Sequence, residues 1–201
     1  EKAKGEALDL VHGNLFTPYT KVRYGSSYSL CKGADIIVVT AGAHQKPGQT
    51  RLDLTKLNAK ILKGIIDEIK KYNKSGIILM VTNPLDVLTY LATKWSKFPK
   101  RRVFGTGTTL DTARFRHLLG DYYKINPKSV HAYILGEHGD SEFPVWSSAN
   151  IAGIRLKDYS KYDKKKLDKL YDKTKNAAYE IINSKGATYY AIGLAVKDIV
   201  K

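Results

Sequence analysis

The stretch that most constrains this chain is ADIIVVT at 34–40, a nearly continuous apolar and β-branched run ended by Ala-Gly-Ala. A strand written that way has no polar face, so it predicts burial on both sides within a parallel sheet. GIILMV at 76–81 repeats the pattern and ends in Thr82-Asn83-Pro84, and Val103-Phe104 forms a shorter run ended by Gly105-Thr106-Gly107. Between the first two runs, residues 52–71 carry Leu54, Leu57, Ile61, Ile65 and Ile69 at helical spacing, and 85–95 is a second helix candidate. Strand, loop and helix in repetition predict an α/β fold with a parallel sheet. Ligands of such sheets bind beyond the carboxyl ends of the strands. Here those ends are 40–45, 81–83 and 105–107.

The remainder reads differently. Residues 1–12 predict an amphipathic helix with Ala3, Ala7, Leu8, Leu10 and Val11 on one side. Residues 110–120 predict a helix carrying Asp111, Arg114 and Arg116, and VHAYIL at 130–135 alternates loosely before GEHGD at 136–140. A long helix is expected over 164–184, with Leu167, Leu170, Tyr171, Thr174, Ala178 and Ile181 at helical spacing. Gly186 predicts a stop or hinge before further helix. A boundary falls near 105–109, dividing residues 1–105 from 106–201.

Composition narrows the function. Hydrophobic residues make up 43% of 201, enough for a core, and no apolar run is long enough to span a membrane. The single cysteine, Cys31, excludes a disulfide scaffold and predicts a structural thiol. With no secretory leader read at residue 1, the setting expected is reducing and cytoplasmic. Lysine and arginine number 34 against 19 acidic residues, a net charge of +15. Such an excess raises the question of a nucleic-acid or anionic-membrane partner. The basic residues are spread along the chain and densest at 161–175, without an Arg/Gly tail or zinc-finger spacing. They read as a solvated helix face, so neither partner is expected. The five histidines lack metal-ligand spacing, and there is no GxGxxG or P-loop.

Chemistry concentrates in two motifs. His138 sits between glycines in GEHGD, where the backbone can turn sharply and a substrate can approach. It reads either as a general acid/base or as an ordinary loop histidine. An acid/base histidine needs a carboxylate to orient it and stabilise its charged form. Asp111, one helical turn from Arg114 in DTAR, is one candidate; Asp140 is the rival. DTAR also reads as a capping Asp with an exposed Arg. Arg114 offers a fork that fits a carboxylate. Arg51, in a Pro/Gly-containing loop at a strand end, is either a cation that closes over a ligand or a surface residue at a helix start.

Six segments together resemble the lactate/malate dehydrogenase family, in its bacterial L-lactate branch. They are GEALDL (5–10), AGAHQKPGQTRLDL (41–54), VTNPLDVLTY (81–90), GTGTTLDTARFR (105–116), HAYILGEHGDSEFPVW (131–146) and KGATYYAIG (185–193). They fall in family order. The resemblance implies NAD-dependent interconversion of L-lactate and pyruvate, the final step of anaerobic glycolysis. It makes His138 the acid/base, Asp111 its orienter, Arg114 the clamp on the substrate carboxylate, and Arg51 the polariser of the carbonyl. Gln45, Asn83, Asp86 and Thr188 join the substrate site. Lys2, Tyr28, Gly42, Ala43, Val81, Thr82, Asn83 and Thr106 match positions lining the cofactor groove. Arg116 and His131 match an allosteric site for fructose 1,6-bisphosphate between subunits, and a homotetramer is implied.

Gln45 carries the substrate choice within that resemblance. Malate-specific members place Arg there, against the second carboxylate of oxaloacetate. A neutral Gln leaves that carboxylate unpaired and favours pyruvate. The resemblance also implies an incomplete Rossmann-type domain at 1–105, lacking its first strand, glycine-rich turn and second strand. The α+β substrate domain at 106–201 would likewise lack its C-terminal part. A strand at 34–40 would then keep an unpaired edge, and these residues alone would bind NADH weakly. Malate or another 2-hydroxyacid dehydrogenase, and a fragment without turnover, stand as the alternatives.

Overall fold

The computed structural model describes residues 1–43 and 50–201, with Arg51 described by its backbone alone. Three strands form a parallel sheet in the order β1 (Ile36–Val39), β2 (Ile77–Met80), β3 (Val103–Gly105). Val39 pairs with Met80, and Met80 with Gly105, so the three carboxyl ends finish level. Helix α2 (Arg51–Tyr72) crosses from β1 to β2, and α3 (Leu85–Ser96) from β2 to β3. Both pack on the sheet face that carries Val39, Ile78, Met80 and Val103, burying Leu62, Ile66, Ile69, Leu85, Leu88 and Ala92. The Cys31 thiol is free and packs half-buried against this core.

The opposite face corrects the expectation of burial on both sides. Leu79 is buried there between Val38 and Phe104, but those flanking residues each keep 39% of their surface exposed. The two crossover helices cover the other side, so β1 and β3 are sealed on one face. Helix α1 (Lys2–His12) departs further: only Ala7 is buried, while Leu8 and Leu10 are exposed.

Helix α2 forms where periodicity places it, but its core line is rotated by one position. The buried residues are Asn58, Leu62, Ile66 and Ile69, whereas Leu57 is exposed. A polar residue occupies the core line, so an apolar count settles on its neighbours. The helix starts at Thr50, whose hydroxyl accepts from the Asp53 amide at 3.1 Å. It ends at buried Asn73, whose Nδ2 donates to the Cys31 and Ala34 carbonyls at 2.7 and 2.8 Å. Asn73 Oδ1 accepts from Gly76 N at 2.8 Å, tying the entries of β1 and β2 together.

A second core surrounds α4 (Thr109–Tyr123). Phe115, Leu119 and Tyr123 pack against Val130, Ala132, Ile134, Ile151, Leu156 and Leu167. The 130–135 run is divided between two short strands. β4 (Val130–His131) pairs with β7 (Asn150–Ile151), and β5 (Ile134–Leu135) with β6 (Phe143–Pro144). β8 (Ile154–Arg155) completes the β4–β7 sheet. Helix α5 (Lys164–Lys185) lies on α4; its lysines pair with Asp163 and Asp168 along an exposed side. Gly186, at φ +84°, ends α5, and α6 (Tyr190–Val200) follows.

Phe115 is fully buried and meets Trp146 edge-on at 5.2 Å between ring centroids and Tyr171 at 6.4 Å. Phe115→Ala is expected to cost about 3–5 kcal/mol of unfolding free energy, read from urea denaturation. A cost below about 1 kcal/mol would place the centre of this core elsewhere.

Candidate active site

The level carboxyl ends of β1, β2 and β3 leave backbone groups that need partners without closing the crevice. Thr82 Oγ1 donates to Ala41 O at 2.9 Å, and Thr106 N to Met80 O at 3.0 Å. Gly42 lies so close to Thr82 that a Cβ there would stand 2.3 Å from its methyl carbon. Asn58 reaches up from α2: its Oδ1 accepts from Ala43 N at 2.7 Å, and its Nδ2 donates to Asn83 O at 2.9 Å. The structure therefore gathers Gly42, Ala43, Val81, Thr82, Asn83 and Thr106 at one end of the sheet. Asn58 is a positioning residue that the sequence reading missed; a lone polar residue on an apolar helix line was its signal. Tyr28 is half-buried against the sheet core, and Lys2 is exposed at the first position of α1. Gln45 and the Arg51 side chain lie outside the described residues.

The second half of the site is built by the first turn of α4. Thr108 Oγ1 donates to Ile134 O at 2.6 Å, and Thr112 Oγ1 accepts from Ile134 N at 3.0 Å. These two threonines, also missed from sequence, staple the helix start to β5 and so aim the loop that follows. Gly139, at φ +141°, takes a conformation that L side chains rarely adopt. His138 thereby faces Asp111, which is only 3% exposed. His138 Nδ1 lies 2.6 Å from Asp111 Oδ2, while Arg114 Nη1 donates to Asp111 Oδ1 at 3.0 Å. Asp140, the rival orienter, is exposed, and the Nδ1 contact goes to Asp111. Asp86 adds a link from α3: its Oδ2 accepts from the His138 backbone N–H at 2.8 Å.

Charge follows geometry. Burial pushes the Asp111 carboxyl up, but the His138 hydrogen bond and the His138 and Arg114 charges outweigh it and hold it below the usual range. The Asp111 hydrogen bond raises His138, against the opposing effect of burial. Glu142, another residue absent from the sequence reading, is buried beside both. Burial, then the Asp111 charge, push its carboxyl up to about 7. Donor atoms of Asp111, His138 and Glu142 all lie within 4.8 Å of one another. Both Asp111 oxygens are already engaged, so the cluster has the arrangement of a proton network rather than of a cation cage.

Other sequence-predicted residues lie apart. Thr188 is half-buried in the link between α5 and α6, without a hydrogen bond to the His138 cluster among the described residues. Arg116 Nη2 donates to Lys128 O at 3.1 Å, and His131 is exposed on β4.

His138 is raised, so its contribution to stability is full below its unfolded value and lost as pH rises through its folded one. Asp111 is lowered, so its contribution is present above its unfolded value and lost as pH falls through its folded one. The pair therefore stabilises the fold most between about pH 4 and 6.5. Asp111→Asn is expected to lower the midpoint of the His138 ring titration, followed by NMR. An unchanged midpoint would exclude Asp111 as the source of the shift.

Comparison with known proteins follows the same lines. The family model described as lactate/malate dehydrogenase, NAD binding domain, matches residues 1–105, and the alpha/beta C-terminal domain of the same family matches 108–201. The L-lactate dehydrogenase of Bacillus licheniformis is 51% identical over 205 residues, covering 100% of this chain and 64% of that protein. The L-lactate dehydrogenase of Acetivibrio thermocellus is 52% identical, with 100% of this chain and 65% of that protein covered. This chain thus spans just under two thirds of the length of both curated relatives. The crystal structure of the minor L-lactate dehydrogenase from Enterococcus mundtii, in a ligands-bound form, superposes with a TM-score of 0.93 at 46% identity. That match covers 98% of this chain and 64% of the other. The α/β fold, the parallel sheet and these matches along the whole chain have one explanation: the chain belongs to the lactate/malate dehydrogenase family.

Proposed function

We propose that this chain belongs to an NAD-dependent L-lactate dehydrogenase, interconverting L-lactate and pyruvate. The observation that carries the reading is the 2.6 Å contact between His138 Nδ1 and Asp111 Oδ2, with Arg114 on the other oxygen. With Nδ1 engaged, Nε2 is the ring nitrogen that takes the proton from the lactate hydroxyl. The Asp111 carboxylate stabilises the imidazolium that results. Running backward, the imidazolium returns that proton to the pyruvate carbonyl oxygen.

Arg114 uses one Nη on Asp111, which leaves its remaining N–H donors for the substrate carboxylate. The resemblance assigns Arg51 to polarise the substrate carbonyl and stabilise negative charge on its oxygen. Asn83, Asp86 and Thr188 complete the substrate site. Asp86 also fixes the His138 backbone. Gln45, neutral where oxaloacetate would need a cation, selects the monocarboxylate.

The strand ends suit a dinucleotide. Gly42 brings backbone close to Thr82, and Asn58 holds the Ala43 and Asn83 peptides in place, leaving an edge of fixed backbone at the crevice. Lys2, Tyr28, Val81 and Thr106 are its further contacts. Bound nicotinamide supplies the hydride acceptor. The same reading carries fructose 1,6-bisphosphate activation through Arg116 and His131, a homotetramer, a cytoplasmic setting and a place at the end of anaerobic glycolysis. Among the described residues, no helix is long and apolar enough to cross a membrane.

NADH absorbance followed with pyruvate, in a protein of the relatives' full length, tests the reading. Turnover is expected, and His138→Gln should lower kcat by about 10²–10⁴. Turnover with oxaloacetate but not pyruvate would move the assignment to malate. Gln45→Arg is expected to shift the ratio of kcat/KM values toward oxaloacetate; an unmoved ratio would remove Gln45 as the selector. Fructose 1,6-bisphosphate should lower the pyruvate concentration at half-saturation, and the effect should vanish in Arg116→Ala.

A further inference from the structure

Among the described residues, Glu142 is a buried carboxyl that this reaction does not call on. It is 5% exposed, and its Oε1 is buried with no hydrogen-bond partner among the described residues. Its surroundings are chemically defined on every side. Asp111, which holds Arg114 on its other side, faces it from α4, His138 and the Gly139 N–H from its own loop, and Tyr171 from α5, whose hydroxyl donates to the Glu142 carbonyl. A carboxyl this close to the Asp111 carboxylate has two low-energy states. It keeps its proton and offers an O–H toward Asp111, or it ionises and needs a nearby cation. His138, whose ring nitrogen lies within 4.8 Å in this cluster, can become that cation.

We propose that Glu142 is a positioning residue that sets the charge of His138: its ionised carboxyl beside the imidazole holds the ring in the charged form, and its protonation beside Asp111 releases that hold. The inference rests on His138 as the acid/base of the proposed reaction. It adds a second carboxyl whose charge is coupled to that of His138. Groups linked this way titrate as a unit. An ionised Glu142 favours the imidazolium, the form that donates a proton to pyruvate, and so extends pyruvate reduction toward higher pH. Glu142→Gln removes that charge and keeps the shape.

The experiment is NMR titration of the His138 ring in this chain, unaltered and as Glu142→Gln, with Glu142→Met as a second neutral variant. The His138 midpoint is expected to fall by roughly 1 unit in either variant. The unaltered chain, labelled with ¹³C at the glutamate side-chain carboxyls, should show one glutamate titrating well above the ordinary carboxylate range. This second measurement requires no variant to fold. A His138 midpoint unmoved by substitution overturns the proposal, and so does a full set of glutamates titrating at ordinary values. In the complete enzyme, the alkaline limb of pyruvate reduction should move down with the NMR midpoint. A shifted midpoint without pyruvate turnover would leave the charge coupling standing and refute the dehydrogenase reading instead.

Discussion

A carboxylate out of water needs donors or cations on both oxygens, and the second half of this molecule is arranged around meeting that need at Asp111. One oxygen receives Arg114 from the next turn of the same helix. The other receives His138 from a loop 27 residues away. Removing either partner leaves a buried charge partly uncompensated. Phe115, one position beyond Arg114, is fully buried in the core. The first turns of α4 thus anchor the core and orient the His138 imidazole within a few residues.

The parallel sheet meets the opposite requirement. Its carboxyl ends must stay open to receive a ligand, yet their peptide groups cannot be left unpaired. Two buried asparagines on α2 resolve this, one at each end of the strands. Asn73 closes the entry end with side-chain bonds to the backbone of two segments, those leading into β1 and β2, and Asn58 fixes the exit loops while leaving the crevice free. An apolar residue at either position would pack as well and leave several peptide groups without partners.

Much of this was readable in the sequence because it follows from local chemistry. The strands at 36–39 and 77–80 are announced by β-branched runs, and α2 by its helical period. The Asp111–Arg114 spacing places both groups on one face of a helix. What escaped depends on tertiary neighbours. Asn58 masks the true core line of α2, so periodicity pointed to Leu57, which is exposed. Val38 reads as core from its neighbours, yet α2 and α3 cover the other face. Glu142 lies in a motif noted for His138, but nothing local marks a glutamate that will be buried beside an aspartate. Thr108 and Thr112 look like ordinary helix-start residues until β5 is set against them.

The bond between Asp86 and the His138 backbone N–H has a bearing on how the imidazole can be interrogated. A backbone amide is the same whichever side chain follows it. The tether from α3 therefore persists when His138 is replaced, and the glycines around it keep their own turn. A variant that lacks the imidazole keeps this backbone anchor while it takes one partner from the buried Asp111 carboxylate, so position 138 is tied to two helices by separable bonds, to α3 through its backbone and to α4 through its ring.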